Sequence, residues 1–241
     1  MKTVVVMPAY NASKKIESVF EKVPPEVLES INQFIIVVDG ATDNTLEKAK
    51  LIQEKYEKII IIVHDKNKGY GAAQKTGFDK ALQLGAEIII LLHADGQLDP
   101  TLIPKVIEPI KEKKAKMVLG SRMLKTNPFN TPMPFYKYCG NKFLTFIENI
   151  ALRSNISEFH TGYIAYSREA LEKINYHKLD NRFHFDGHMI IMAIINKILI
   201  KEVPVPVIYD DEKSHLNPLG YGINVIKTIW KYKTGYFHKL N

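Results

Sequence analysis

The stretch Ile88-Ile89-Ile90-Leu91-Leu92-His93-Ala94-Asp95-Gly96-Gln97 joins five apolar residues to a polar turn. An apolar run of this length predicts a strand buried on both faces of a parallel sheet. Ligands of open α/β sheets bind outside the carboxyl ends of the strands, so His93, Asp95 and Gln97 are expected at a binding edge. The oxygens of Asp95 and Gln97 suit Mg²⁺ or Mn²⁺, although a simple polar turn accounts for the same residues equally well.

Strand-like and helix-like segments alternate on both sides of this stretch. Apolar, β-branched runs predict strands at residues 3–7, 34–38, 59–63, 87–92 and 117–119. Helical spacing of apolar residues predicts helices at residues 13–22, 43–56, 72–84 and 101–113, with Asp43 as an N-cap. Repeated βα units predict a mostly parallel sheet with helices on both faces.

The second half of the chain has a different pattern. A helix is predicted at residues 136–152, and two strands at residues 162–166 and 198–208 flank a further helix at residues 187–196. Pro204 and Pro206 alternate in the last strand, which favours a position at the edge of the sheet. We expect one domain whose second half builds the other wall of a cleft.

Composition and charge restrict the class of protein. Among 241 residues, 46% are hydrophobic and 24% charged, which argues against disorder. The net charge of +7 favours polyanionic partners such as nucleic acid, an acidic membrane face or phosphorylated small molecules. The single cysteine, Cys139, excludes an intrachain disulfide and a cysteine-based zinc site. No signal peptide or membrane-spanning apolar run is found, so a cytoplasmic location is expected.

The glycine-rich run at residues 67–73 resembles a phosphate cradle at the start of a helix. It lacks the spacing of a P-loop, and no dinucleotide-binding glycine motif follows the first strand. The polar residues that follow strands one, two and four are expected to converge at one edge of the sheet.

Several segments together resemble the family 2 glycosyltransferases, including those that make polyprenyl-phosphate sugars. The segments are residues 6–11, 38–45, 68–73, 93–97, 120–122, 160–163 and 202–206. The resemblance implies the GT-A fold, a three-layer α/β/α sandwich with a mostly parallel central sheet. It also implies an inverting transfer from a nucleotide-diphosphate sugar, with Mg²⁺ or Mn²⁺ on the diphosphate.

The resemblance further implies domain limits and residue roles. Residues 1–215 would form the glycosyltransferase domain, with a nucleotide-binding half at 1–122 and an acceptor-side half at 123–215, followed by a basic helix or tail at 216–241. Asp95 would bind the metal with Gln97 as a second ligand, Asp39 would face the base, and Arg122 would contact phosphate. Further donor-site positions are Pro8, Ala9, Tyr10, Asn11, Lys68, Gly69, His93, Ala94, Lys213 and Ser214.

The sequence departs from the family pattern at several of these positions. His93 replaces the first Asp of the Asp-x-Asp motif, Asp39 stands alone in place of an Asp pair, and Ala12 replaces a common Glu. Late in the chain, Tyr209 and His215 stand near Ser214 where the family has Arg and Lys, with Lys213 as a substitute cation.

The acceptor decides whether the reaction needs a general base. A phosphate acceptor is already anionic, whereas a hydroxyl acceptor needs a base, for which His160 and Asp186 are the candidates. A phosphorylated lipid or a glycan of the cell envelope is the expected acceptor. Two alternatives stay open: a non-catalytic module that binds nucleotide sugars, and a nucleotidyltransferase.

The C-terminal segment predicts an amphipathic helix. Ile223, Ile226 and Trp230 share one stripe, and Lys227 and Lys231 lie on another. Such a helix suits either peripheral contact with the anionic inner face of a membrane or ordinary packing on the domain. No motif supports nucleic acid as a partner.

Overall fold

The computed structural model describes residues 1–125, 127, 131–207 and 218–240. The strands are β1 (Thr3–Ala9), β2 (Gln33–Asp39), β3 (Ile59–His64), β4 (Ile88–Leu91), β5 (Met117–Ser121), β6 (Ile164–Ser167) and β7 (Ile200–Pro204). The helices are α1 (Ile16–Glu21), α2 (Pro25–Ser30), α3 (Thr45–Lys55), α4 (Tyr70–Gln83), α5 (Ile103–Lys111), α6 (Phe135–Leu152), α7 (Arg168–Lys173), α8 (Phe185–Ile195) and α9 (Pro218–Lys233).

These strands form one sheet in the order β3-β2-β1-β4-β6-β5-β7. Every neighbouring pair is parallel except those that include β6, which runs antiparallel to both β4 and β5. The sheet is therefore mostly parallel, as predicted, and β7 with its Pro204 lies at the edge. Because β6 is reversed, the segment that leads into it lies beside the carboxyl ends of β4 and β5.

Two hydrophobic cores cover the two faces of the sheet. Successive side chains of a strand point to opposite faces, so Val4 and Val6 belong to one core while Val5 and Met7 belong to the other. Phe78 of α4 and Phe185 of α8 complete the first core. Helices on both faces of a central sheet give the predicted three-layer α/β/α arrangement.

Several predicted boundaries were wrong in detail. Helix α3 begins at Thr45, with Asn44 rather than Asp43 at the N-cap, yet the Asp43 carboxylate accepts the Thr45 N–H at 3.0 Å. Strand β7 ends at Pro204, well before residue 208, which lies outside the described residues. The short helices α2 and α7 were missed because six residues are too few for a clear helical period.

Candidate active site

The predicted site residues converge at one edge of the sheet. Tyr10 follows β1, Asp39 ends β2, His93 follows β4 and Arg122 follows β5. These are carboxyl ends of parallel strands, which is where α/β sheets bind ligands. The chain thus has a cleft edge of the predicted kind.

A pocket of about 420 Å³ opens between the ends of β1, β2 and β3. Tyr10, Gly40, Ala41 and Asp65 are among the residues that line it, and the Tyr10 side chain is half exposed. An exposed aromatic ring beside such a pocket can stack on a nucleobase. Two other predicted donor-site residues offer little surface to this pocket, because Ala9 is buried in the core and Pro8 lies within β1.

Asn11 closes the turn beside this pocket. Its backbone has a φ of 48°, and its side-chain oxygen accepts the Thr42 N–H at 2.9 Å. The bond joins the loop after β1 to the loop after β2, so the Asn11 side chain organises the walls of the pocket.

Asp39 is buried and fully engaged with protein groups. Its Oδ1 lies 2.6 Å from Nδ1 of His64 and accepts the Lys68 N–H at 2.9 Å, while its Oδ2 accepts the Gly69 N–H at 2.9 Å. Asp39 therefore holds the loop before α4 in place. Lys68 contributes its backbone here, since its ammonium pairs with the exposed Asp65 at 3.1 Å.

Asp95 is partly exposed in the turn after β4. Its Oδ1 accepts the Gln97 N–H at 2.9 Å, which fixes the carboxylate at the edge of the sheet. Ala94 beside it is buried in the core. No group of three or more His, Cys, Asp or Glu side chains that could hold a metal occurs among the described residues. One carboxylate still fits Mg²⁺ or Mn²⁺ bound to a diphosphate, because such ions often take one or two protein ligands with phosphates and waters.

His93 begins a hydrogen-bonded chain that leads from the cleft edge to the buried Asp186. The Tyr70 hydroxyl donates to Oδ2 of Asp186 at 2.7 Å and lies 2.6 Å from Nε2 of His93. Since the phenol proton goes to Asp186, Nε2 of His93 carries a hydrogen and donates to the Tyr70 oxygen. Gln74 donates to Oδ1 of Asp186 at 2.8 Å.

Burial sets the protonation of this chain. It raises the pKa of Asp186 above its ordinary value, while His93, Gln74 and Tyr70 counteract part of that rise. Burial and the nearby Asp186 carboxylate raise the pKa of Tyr70, so its hydroxyl keeps its proton. The Asp186 carboxylate thus accepts two hydrogen bonds from α4 at a buried position.

Arg122 is bound to a buried acid. Its Nε donates to Oε1 of Glu158 at 2.9 Å, its terminal nitrogen also contacts Glu158, and its backbone N–H donates to Oε2 at 2.7 Å. Glu158 is fully buried, and Asn141 of α6 donates to the same carboxylate at 3.1 Å. The guanidinium therefore sits at the cleft edge with much of its charge neutralised.

His160 lies between two helices. Its Nδ1 is 2.7 Å from the Tyr221 hydroxyl of α9, and its Nε2 is 3.2 Å from Oε2 of Glu148 in α6. The ring also meets the Tyr221 ring edge-on at 5.1 Å. His160 thus anchors the C-terminal helix to the site edge, and α9 packs against α6.

The sequence missed the partners of its candidate residues. Tyr70, Gln74, Glu158, Tyr221 and His64 complete the arrangement. His64 alone had a local signal, because it directly follows the strand predicted at residues 59–63; the register of β2 and β3 then places it opposite Asp39. Lys213 and Ser214 lie outside the described residues.

Comparison with known proteins identifies the family to which the chain belongs. The family described as glycosyl transferase family 2 matches residues 4–175, so the chain belongs to that family and is a glycosyltransferase. Membership favours a transferase over a nucleotidyltransferase or a non-catalytic sugar-nucleotide module.

Two individual relatives are similar to this chain over most of its length. A UDP-N-acetylglucosamine–dolichyl-phosphate N-acetylglucosaminyltransferase of Methanococcus voltae is 34% identical over 86% of this chain and 85% of its own length. A dolichol-phosphate mannosyltransferase of Pyrococcus furiosus is 30% identical over 82% of this chain and 53% of its own length.

The fold has solved counterparts. Glucosyl-3-phosphoglycerate synthase of Mycobacterium tuberculosis, crystallised with Mn²⁺, UDP and glucosyl-3-phosphoglycerate, superposes with a TM-score of 0.72. The match has 17% identity and covers 97% of this chain and 80% of that one. The fold is therefore the GT-A fold of nucleotide-sugar glycosyltransferases.

Proposed function

We propose that this enzyme transfers a sugar, with inversion, from a nucleoside diphosphate sugar to a polyprenyl phosphate. The donor's base and ribose occupy the pocket beside Tyr10, and its diphosphate lies toward Asp95. Arg122, Lys213 and Ser214 serve the phosphates of donor or acceptor. The product is a lipid-linked sugar for assembly of cell-envelope glycans at the cytoplasmic side of a membrane, which the segment 216–241 contacts.

The engagement of both candidate bases supports a phosphate acceptor most strongly. Asp186 is buried and accepts hydrogen bonds from Tyr70 and Gln74. His160 is held by Tyr221 on one nitrogen and faces Glu148 with the other. A hydroxyl acceptor needs a base that reaches it, whereas a phosphate oxygen attacks without one. These contacts therefore favour an acceptor that carries its own charge.

A divalent cation on Asp95, with Gln97 beside it, would neutralise the diphosphate as it leaves. The chain's own contribution is to fix the Asp95 carboxylate through the Gln97 N–H. The Mn²⁺ bound in the mycobacterial structure supports this assignment.

UDP-N-acetylglucosamine is the first donor to test, because the relative from Methanococcus voltae bears that activity in its name. The purified enzyme is incubated with this donor, Mn²⁺ and dolichyl phosphate, and both UDP release and lipid product are measured. UDP release should depend on the lipid phosphate, and the anomeric proton of the product should show inverted configuration. GDP-mannose and UDP-glucose are tested in parallel.

Asp95→Asn should lower turnover by about 10²–10³-fold, since it removes the charge that binds the metal. Asp99→Asn is the matched control, because the Asp99 carboxylate only caps the turn at Pro100–Leu102. Undiminished turnover by Asp95→Asn would contradict the metal assignment. Transfer to a glycan hydroxyl, with none to dolichyl phosphate, would contradict the acceptor.

A further inference from the structure

Helix α6 buries polar residues and exposes large apolar ones. Its buried residues are Thr145, Glu148, Ala151 and Leu152, and Asn141 reaches inward to Glu158. The outward positions Tyr136, Phe143, Phe146 and Ile150 are instead aromatic or aliphatic, and each is more than 60% exposed. Their spacing of three, four and seven residues places them on one stripe of the helix.

Helix α9, which packs against α6, carries a second stripe of the same kind. Ile223, Ile226 and Trp230 are more than half exposed, while Val225 is buried. Single exposed apolar residues are ordinary on a protein surface, whereas two stripes on neighbouring helices mark an interaction surface.

The charged residues of the two helices are all lysines apart from one buried acid. No Asp or Glu occurs from residue 213 to the C-terminus, and the one acid of α6, Glu148, is buried. Lys142 lies on α6, and Lys227, Lys231 and Lys233 lie on α9. Apolar and aromatic stripes bordered by lysines complement a bilayer with anionic headgroups. No helix in the described part of the chain is long and apolar enough to cross a membrane.

We propose that α6 and α9 together form a docking surface that lies in the headgroup region of an anionic membrane. The aromatic and aliphatic side chains of both stripes enter the acyl boundary, and the lysines pair with lipid phosphates. Tyr221 of α9 also holds His160 at the cleft edge, so docking would bring the site to the membrane surface. This inference rests on the proposed lipid-phosphate acceptor for its purpose, but vesicle binding is measured without donor or acceptor.

Trp230 is the only tryptophan in the chain and lies on the α9 stripe, so its fluorescence reports docking without any substitution. The protein is mixed with vesicles of phosphatidylcholine alone or with phosphatidylglycerol at seven parts to three. With the anionic vesicles, the protein should float, Trp230 emission should shift to the blue, and brominated lipid should quench it. Protein that stays in the aqueous fraction, with unchanged Trp230 emission, would overturn the proposal.

The α6 stripe is tested by the double variant Phe143→Ser/Phe146→Ser. It should lower the partition coefficient into anionic vesicles at least about tenfold, because two large apolar side chains no longer leave water. Leu51→Ser/Leu199→Ser is the matched control, since both leucines are half exposed but belong to neither helix, Leu51 lying on α3 and Leu199 just before β7, and it should bind like the wild type. Equal binding by the wild type and both variants would refute the role of α6.

Two further measurements distinguish membrane docking from dimerisation and from a defect in sugar transfer. Light scattering during size-exclusion chromatography should show a monomer without vesicles; a dimer that Phe143→Ser/Phe146→Ser dissociates would assign the face to a second copy of the chain instead. Sugar transfer to a short polyprenyl phosphate in detergent should persist in this double variant. Loss of vesicle binding with retained transfer thus separates docking from the proposed function.

Discussion

His93 stands where the family motif has Asp, and its contacts in the structure show what the histidine does at this position. Its ring fills the space beside Gly162, where an added Cβ would lie 2.3 Å from Cε1 of His93. Its Nε2–H donates to Tyr70, which in turn donates to the buried Asp186. The histidine is therefore part of the arrangement that keeps a buried carboxylate hydrogen-bonded.

His93→Asp should lower the free energy of unfolding by roughly 1–3 kcal/mol at pH 7, because the donor to Tyr70 is lost beside another carboxylate. His93→Gln, which can keep an Nε2–H donor, is the control and should retain most of the stability. Urea unfolding measures both. The family resemblance separately predicts that His93→Asp retains or tightens donor binding, which calorimetry with UDP checks. Wild-type stability in His93→Asp would show that the hydrogen-bonded chain contributes little.

The residues at the cleft edge could be predicted because each follows a strand closely in sequence. Asp39 ends β2, and His93 and Asp95 follow β4, at the edge where the sequence predicts them. Their partners could not, since Tyr70 and Asp186 are separated by 116 residues and Arg122 and Glu158 by 36. Sequence periodicity carries no information about contacts of that range.

At the scale of single elements, α4 lies unusually close to β1. A Cβ added to Gly77 would lie 2.2 Å from Cγ1 of Val6, a fully buried residue of the sheet. This glycine permits the helix to approach the sheet and so positions Tyr70 and Gln74 in the site. Gly187 of α8 has no atom within 4 Å of its added Cβ.

Gly77→Ala should destabilise the protein by about 1–3 kcal/mol through overpacking. Gly187→Ala should leave stability unchanged or raise it by up to about 1 kcal/mol, because alanine is the better helix former. Thermal unfolding of the two variants provides the comparison. Equal effects would mean that α4 can move away from β1 without penalty.

Helix α8 also buries a histidine in the core. Burial, followed by the charges of His184 and Lys231, lowers the pKa of His188 to about 4. His188 is therefore neutral at pH 7, and its protonation favours the unfolded state as the pH falls from about 6.5 to about 4.

Wild-type protein should lose about 3 kcal/mol of stability across that pH range through this group alone. His188→Leu should lose correspondingly less, which chemical unfolding at pH 7 and pH 4 measures. If the stability difference between the two proteins were the same at both pH values, His188 would not be the group responsible.

The positions of helices and strands were easier to predict from the sequence than the direction in which each strand runs in the sheet. Apart from the short helix α2, the strands and helices through β4 have clear apolar periods and were found with small boundary errors. The reversal of β6 was not predictable, because a four-residue apolar strand reads the same in either direction. That reversal nevertheless determines which loop faces the cleft.

At the scale of the whole molecule, the described segment after α9 packs against the rest of the protein. Phe237, after α9, is fully buried in the core and meets the ring of His188 at 5.1 Å. The chain end thus closes one face of the sheet while α9 presents its exposed stripe.

Phe237→Ala should lower the free energy of unfolding by about 3–5 kcal/mol, as expected for a large side chain removed from a core. Tyr236→Ala, which changes a partly exposed neighbour, should cost about 1 kcal/mol or less. Urea unfolding of both variants tests the difference. A small effect at Phe237 would show that the C-terminal segment detaches readily.

The position of β6 has a consequence for the order of folding. This strand lies between β4 and β5, so no strand pairing links the first four strands to β5 until residues 164–167 have been synthesised. A nascent chain that has not reached residue 164 contains the parallel βα units, but one edge of β4 has no partner strand. During synthesis, the pairing of β4 with the second half of the sheet therefore waits on four residues, and the unpaired edge of β4 is exposed to aggregation until they arrive.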